Sequence, residues 1–368
     1  MLLTAILFLV GYSIIALEHK IKVDKAATAL FLGILLWLLL AFSNDELSET
    51  IDHLKEHFEE IAEILFFLLG AMTIVELVDT HDSFDIIHRK IRTRNKITLL
   101  WILSLLTFVL SAVLDNLTTT IVMIAIIKKF LDTREDLWSF AGFIIIAANA
   151  GGAWSPIGDI TTIMLWNGGQ ISSMGIITQI FLPSLVCLIV PLLFAKKLIG
   201  GTIDQRAEKQ IGAEKIIGSR ESNFILLIGV ALLLLVPVFK AVTHLPPFMG
   251  MLFSLSIFWL ITEIIHRKKT ASEKHHFSVA ATVQKIDTPS ILFFMGILLA
   301  VAAMQTNGSL EVVGNGLENA FADFHVVGTL LGLLSSIVDN VPLVAGAIAW
   351  LALLGYLSGI GAYVLLNQ

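Results

Sequence analysis

A cluster of polar residues interrupts an apolar run at the depth where a membrane helix would be most buried. Within 97–130, residues 111–120 read Ser-Ala-Val-Leu-Asp-Asn-Leu-Thr-Thr-Thr. Asp115, Asn116 and Thr118 offer carboxylate, amide and hydroxyl oxygens, the ligand types that hard cations prefer. An ionisable residue inside a membrane segment is costly, so its presence predicts a functional site.

The same feature recurs near the other end of the chain. Residues 335–342 read Ser-Ser-Ile-Val-Asp-Asn-Val-Pro, again inside an apolar run. Ser335, Asp339 and Asn340 therefore repeat the serine, aspartate and asparagine of the first run. Two copies of one costly feature, one in each half, predict a shared role.

A third interruption lies at 149–162, which reads Asn-Ala-Gly-Gly-Ala-Trp-Ser-Pro-Ile-Gly-Asp-Ile-Thr-Thr. Its glycines permit unwound backbone, and its proline removes a backbone donor and stops the preceding turn. The oxygen donors here are those of Asn149, Ser155, Asp159, Thr161 and Thr162. Unwound carbonyls beside such groups suit sodium or lithium.

The three interruptions together predict one ion site that a cation and protons share. Burial disfavours the charged form of a carboxyl group, whereas a nearby cation favours it. A buried aspartate can therefore hold a proton or a sodium ion in turn, which yields cation/proton exchange without a cofactor. We assign sodium to Asp115, Asn116, Asp159 and Asp339. The full set of candidate ion-binding residues is Ser111, Asp115, Asn116, Thr118, Asn149, Ser155, Asp159, Thr161, Thr162, Ser335, Asp339 and Asn340.

Composition indicates what kind of protein positions these residues. The chain has 368 residues, of which 56% are hydrophobic and 15% charged, against about 25% charged in soluble proteins. Its apolar blocks have the length of membrane-spanning helices. We therefore predict an all-α polytopic membrane protein, with the lipid bilayer as its partner and no nucleic acid. A single cysteine, Cys187, excludes an intramolecular disulfide.

The charges of the linkers predict an orientation. Basic linkers at 18–25, 79–96, 196–222 and 266–289 are expected inside the cell, and the acidic segment 44–60 is expected as a linker outside. The N-terminus is then outside, with 1–17 as a first spanning helix. Lysines flank the Asp115 run on both sides, so we expect a re-entrant hairpin over 97–131 with Asp115 at its tip.

Four histidines and one short segment belong to these linkers. We expect His53, His57, His81 and His88 to be solvated, in or beside loops. Residues 81–91 have the pattern of an amphipathic surface helix.

The two halves are predicted to be inverted repeats, with re-entrant helical hairpins and a broken helix. The first half, 1–199, holds the hairpin 97–131 and the broken helix 137–166. A cytoplasmic linker, 200–222, leads to the second half, 223–368, with a hairpin at 326–350. Inverted repeats with broken helices are typical of secondary transporters. The second half is shortened, because no counterpart of the 149–162 stretch follows Asn340.

At these three motifs the sequence resembles the NhaD-type sodium/proton antiporters of the ion-transporter superfamily. The resemblance extends from about residue 1 to 348 and resumes in the last helix. It implies expulsion of sodium or lithium in exchange for protons, usually at alkaline pH, by a homodimer in the bacterial inner (plasma) membrane. It also implies functional roles for Ser111, Asp115, Asn116, Asn149, Asp159, Thr161, Thr162, Ser335, Asp339 and Asn340. Family members normally possess the segment that the second half lacks.

Three other hypotheses compete with antiport. A sodium-coupled anion carrier, for dicarboxylate or an arsenite-like anion, would share the architecture but needs an anion subsite. The three motifs contain no lysine or arginine. The second hypothesis is an antiporter that is inactive because its second half is shortened. The third, an intramembrane aspartyl protease, expects Gly-x-Gly-Asp, of which 156–159 has only the second half. Our prediction is a transporter and not an enzyme.

Overall fold

A computed structural model describes most of the chain. The described residues are 1–43, 46–84, 86, 90–91, 93–131, 133–203, 218–267, 277–312, 316, 324–335, 340–341 and 343–344. The predicted linker 200–222 and the predicted amphipathic helix 81–91 are each covered only in part. Of the second hairpin, 326–350, Asp339 and the residues after 344 lie outside the described set.

The described residues form fourteen α-helices and one short 3-10 helix, Ala195–Lys197. The α-helices are α1 Leu2–Ala16, α2 Glu18–Ile21, α3 Lys25–Ser43, α4 Leu47–Thr80, α5 Lys96–Leu114, α6 Asn116–Ile127, α7 Arg134–Ala153, α8 Ile160–Asn167, α9 Ser173–Phe194, α10 Ser219–Thr243, α11 Pro247–His266, α12 Val279–Val283, α13 Thr288–Thr306 and α14 Phe324–Ser335.

Eight of these helices are long and apolar enough to cross a membrane. They are α3, α4, α5, α7, α9, α10, α11 and α13. Three shorter apolar helices, α1, α6 and α14, accompany them. Extended pairing among the described residues amounts to one isolated bridge between Asn95 and Thr202. The prediction of an all-α polytopic membrane protein is confirmed.

The acidic segment 44–60 corrects one expectation. We predicted a linker there, but α4 begins at Leu47 and runs for 34 residues. In the charged N-terminal part of α4, side chains one helical turn apart pair with each other, including Lys55 with Asp52 at 3.0 Å and His57 with Glu60 at 3.7 Å. Such pairs stabilise a helix, so charge alone did not mark a loop. At about 1.5 Å per residue α4 is about 51 Å long.

Interhelical packing divides the chain into two units, Met1–Phe66 with Asp287–Gln368 and Phe67–Ile286. In the first unit α3 packs closely on α13. A Cβ on Gly296 would collide with the backbone of Ala29 and Leu30, so only glycine permits this approach. The indole nitrogen of Trp37 donates to the Leu299 carbonyl at 3.0 Å across the same interface.

The second unit is built around α7, which packs against α5, α6 and α9. A pair of neighbouring helices, α10 and α11, completes it, joined by the Ser254 hydroxyl donating to the Leu232 carbonyl at 2.9 Å. Polar side chains cap the N-terminal ends of α5 and α7, two helices that position the site. Asn95 and Thr133 accept backbone hydrogen bonds at the starts of α5 and α7, which satisfies donors that a helix start leaves free.

Candidate ion-binding site

Asp115 separates α5 from α6 and has an unusual backbone. Its φ is 89° and its ψ 158°, a region that costs free energy for any residue other than glycine. The carboxylate compensates by capping α6. Oδ1 accepts from the Thr118 backbone N–H at 2.8 Å, and Oδ2 accepts from the Thr118 hydroxyl at 2.7 Å. The negative charge therefore sits at the positive end of α6.

The chain doubles back at Asp115. Lys96 Nζ lies 2.6 Å from Asp136 Oδ2, so the first turns of α5 and α7 are neighbours. Only residues 128–133 connect α6 to α7, a stretch that reaches about 24 Å when fully extended. A straight helix over 96–127 would be about 48 Å long. The end of α6 must therefore return toward Lys96, which places Asp115 at the far end of α5.

A second break separates α7 from α8 at 154–159 and presses against the end of α5. A Cβ on Gly158 would lie 2.7 Å from the Ser111 carbonyl oxygen and 2.9 Å from the Gly152 Cα. Two serine hydroxyls cross the same interface. Ser111 donates to the Ala148 carbonyl at 2.6 Å, and Ser155 donates to the Ala112 carbonyl at 2.5 Å.

Asp159 repeats the capping arrangement at the start of α8. Its Oδ1 accepts from the Thr161 backbone N–H at 2.8 Å and from the Thr161 hydroxyl at 2.5 Å. The Thr162 hydroxyl donates to the Asp159 carbonyl at 2.8 Å. Each break thus ends in an aspartate whose carboxylate caps a short helix.

The side chain of Asn116 joins the two breaks. Its Nδ2 donates to Asp159 Oδ2 at 2.5 Å and to Asn149 Oδ1 at 3.0 Å. Asn149 is oriented by its own Nδ2, which donates to the Ile145 carbonyl at 2.9 Å. The Asp115 and Asp159 carboxylates are close enough to repel each other. A cation near both would relieve that repulsion.

Nine of the twelve predicted site residues are therefore brought together in one unit. They are Ser111, Asp115, Asn116, Thr118, Asn149, Ser155, Asp159, Thr161 and Thr162. Ser335, the last residue of α14, and Asn340 belong to the other unit. Asp339 lies outside the described residues.

Sequence reasoning missed a lysine at the C-terminal end of α8, the helix that follows the second break. Lys240 Nζ, from the last turn of α10, donates to the Trp166 carbonyl at 2.8 Å and lies 4.4 Å from the centre of the Trp166 ring. Trp166 lies in the last turn of α8, where carbonyls without helical partners attract a cation. A lysine ending an apolar run normally indicates a membrane boundary, so the sequence offered no signal for this contact.

Comparison with known proteins identifies the group to which this architecture belongs. The sequence profile of the CitMHS family, described as citrate transporter, matches residues 7–365. The chain belongs to the CitMHS transporter family. It is accordingly an integral membrane transporter and not an enzyme.

Several relatives of the chain are named as sodium/proton antiporters. The chain is 40% identical over 341 residues to sodium/proton antiporter 1 of Arabidopsis thaliana, covering 93% of this chain and 59% of that protein. It is 36% identical to sodium/proton antiporter 2 of the same plant, covering 93% and 81%. It is 30% identical over 370 aligned positions to the Na⁺/H⁺ antiporter NhaD of Vibrio cholerae, covering 92% and 75%. The chain thus spans less than two thirds of the first of these proteins. The resemblance to NhaD-type antiporters is confirmed.

Proposed function

We propose that this CitMHS protein exchanges sodium or lithium for protons across the membrane. The observation that supports the proposal best is the hydrogen bond from Asn116 to Asp159. It links two helix breaks, each of which ends in an aspartate, into one cluster of oxygen atoms. The names of the antiporter relatives support the same activity.

The chemistry of exchange follows from the two aspartates. With both carboxylates charged and close together, the cluster attracts a small cation. When the cation leaves, a proton on one carboxyl group relieves the repulsion instead. The hydroxyl and amide groups around them keep the oxygens in place in either state. Cation and proton therefore compete for one set of atoms, and alternate exposure of that set to the two sides gives exchange.

The second half supplies the rest of the proposal. We propose that Ser335, Asp339 and Asn340, in an inverted second repeat, also serve ion transport, with 200–222 as the linker between halves. We also propose a homodimer in a bacterial inner membrane, with the N-terminus outside. The basic linkers support this orientation. A protease-protection assay on an N-terminal tag in everted vesicles tests it, since an outside terminus would be shielded there.

The activity is tested in proteoliposomes that hold the full 368-residue chain. Addition of sodium or lithium should collapse an imposed proton gradient. Asp115→Asn and Asp159→Asn should each abolish the response, because each removes a charge that the cation needs. Asp52→Asn is the matched control, since Asp52 is an exposed residue of α4 that pairs with Lys55. A wild-type protein without sodium-dependent exchange would contradict the function, and active Asp115 and Asp159 variants would contradict the site.

The family description names citrate, so citrate is the competing substrate. Sodium-dependent uptake of labelled citrate into the same proteoliposomes would favour the anion carrier. We expect none, because the groups gathered at the two breaks are carboxylates, amides and hydroxyls. The Lys240 ammonium is directed at the Trp166 carbonyl, in the last turn of α8.

A further inference from the structure

Three metal-ligating side chains meet at the ends of three helices, in a part of the second unit that the proposed function does not use. His81 follows the last residue of α4, Glu221 lies in the first turn of α10, and His266 is the last residue of α11. His81 Nε2 lies 3.2 Å from His266 Nε2, which lies 3.1 Å from Glu221 Oε1. The three atoms all lie within 4.8 Å of one another.

Burial corrects our expectation for one of these residues. We predicted a solvated His81, but it is fully buried, and His266 is 2% exposed. The Phe277 ring covers both imidazoles, with ring centres 5.2 Å and 5.6 Å away. Glu221 keeps 24% of its side chain exposed, which leaves an approach from solvent.

The tautomer of His81 favours a metal ligand. His81 Nδ1 lies 2.5 Å from the Leu77 carbonyl oxygen. A carbonyl only accepts, so Nδ1 carries the hydrogen and the neutral ring directs the lone pair of Nε2 at His266. Metal-binding histidines are commonly held in this way, with the second ring nitrogen donating to a carbonyl.

The position of His266 favours the same conclusion. Its Nε2 faces the His81 lone pair and a carboxylate oxygen at almost equal distances. A single hydrogen on that nitrogen would have to serve both acceptors. Zinc bound at about 2.0–2.1 Å in a tetrahedral site holds its ligand atoms about 3.3 Å apart. The two short distances in the cluster, 3.2 Å and 3.1 Å, are close to that separation.

Hydrogen bonds between neighbouring residues hold two of the three ligands, His81 and Glu221, in register. The Ser83 hydroxyl donates to the Ser222 carbonyl at 2.8 Å, and the Ser222 hydroxyl donates to the Asp82 carbonyl at 3.1 Å. These two bonds join the residues after His81 to the residue after Glu221. Preorganisation of this kind lets a site bind an ion without rearranging its ligands.

We propose that His81, Glu221 and His266 bind a divalent transition-metal ion of the zinc type, with a water molecule in the fourth position. Two imidazoles and one carboxylate select such ions over sodium, which prefers oxygen ligands. The bound ion fastens the ends of α4, α10 and α11 to one another. This site is distinct from the ion pathway at Asp115, and the proposal does not depend on antiport.

Zinc binding is measured on the purified full-length protein in detergent after treatment with a chelator. Titration with zinc, in competition with a chromophoric chelator, should show one tightly held ion per chain. His81→Gln and His266→Gln should lower the affinity by more than about 100-fold, since even outer-shell partners of a metal are worth about 10–100-fold. His53→Gln is the matched control, because His53 is a half-buried histidine of α4 whose neighbours are Glu49 and Glu56. It should leave the affinity unchanged.

A second measurement uses the wild-type protein alone and so does not depend on a variant that folds. X-ray absorption at the zinc edge should show two imidazole ligands with bonds of about 2.0–2.1 Å. Zinc should also raise the unfolding temperature of the wild type and not of Glu221→Gln. Absence of stoichiometric binding, a spectrum with oxygen ligands only, or equal binding by wild type and both histidine variants would overturn the proposal. In those cases the three residues are a hydrogen-bonded tie between helices.

Discussion

The side-chain amide of Asn116 donates a hydrogen bond to the carboxylate of Asp159 across 43 residues of sequence. The donor lies just after the first helix break, and the acceptor ends the second. Because the same nitrogen also reaches Asn149, one side chain orients oxygen atoms from both breaks.

Asn116→Ala should raise the sodium concentration for half-maximal exchange by at least about tenfold. The reason is that a hydrogen bond to a charged group contributes about 1.5–3 kcal/mol. Its loss leaves Asp159 and Asn149 without a common donor. Sodium-dependent collapse of a proton gradient in proteoliposomes measures the change. Asn307→Ala is the control, because Asn307 also makes a side-chain hydrogen bond, to Thr4, but belongs to neither break. An unchanged sodium dependence in Asn116→Ala would show that the amide is only a spacer.

Thr118→Val should weaken sodium binding severalfold while the protein stays folded. Valine keeps the shape of threonine and the backbone N–H that caps Asp115, but loses the hydroxyl that donates to Asp115 Oδ2. One oxygen is then free to turn away from the helix end. Thr118→Ser, which restores the hydroxyl, should recover most of the wild-type affinity. Equal affinities of the valine and serine variants would exclude a role for the hydroxyl.

Gly158→Ala should lower the free energy of unfolding by about 1–3 kcal/mol and reduce exchange. The new methyl group would meet the Ser111 carbonyl and the Gly152 Cα at less than 3.0 Å, and backbone cannot move aside as a side chain can. Gly142→Ala, in α7, has open space at the same atom. It should be neutral or stabilise by up to about 1 kcal/mol, because alanine favours helix over glycine. Thermal unfolding in detergent compares the two variants. A stable Gly158→Ala protein would mean that α5 and the second break are farther apart than described.

Lys240→Met should destabilise the second unit by about 1–2 kcal/mol, through loss of a cation at a helix C-terminus and over an indole ring. Lys55→Met removes an exposed partner of Asp52 instead and should cost less than about 1 kcal/mol. Chemical unfolding followed by tryptophan fluorescence measures both variants. If Lys240→Met abolishes exchange without changing stability, Lys240 acts in transport rather than in support of α8.

Sequence reasoning found the interrupting residues because a charge in an apolar run is conspicuous. Asp115 and Asp159 were identified in this way, and each begins a short helix. Sequence did not show which of these residues pair. The bond from Ser111 to Ala148 depends on how α5 packs on α7, and the bond from Asn116 to Asp159 depends on how the start of α6 meets the start of α8. Hydrophobic patterning specifies which face is buried but not which atoms meet across it.

Two expectations failed for a related reason. The charges of segment 44–60 favour a linker over a buried helix, but Glu and Lys are also good helix formers. His81 was expected in water because its neighbours are polar. It is instead buried between His266 and Phe277, which lie more than 180 residues along the chain. No local pattern shows that kind of tertiary contact.

Asp115 gives the hairpin tip both a negative charge and a bend with positive φ. These two properties can be altered separately. The amide oxygen of asparagine can accept the Thr118 backbone N–H that caps α6, so Asp115→Asn removes the charge and keeps the cap that holds the bend. Alanine lacks a short polar side chain to hydrogen-bond locally at this φ, so Asp115→Ala disturbs both. A comparison of these two neutral variants therefore separates the contribution of the charge to transport from the contribution of the bend. Activity that both variants lose depends on the charge. Any further loss in Asp115→Ala depends on the bend.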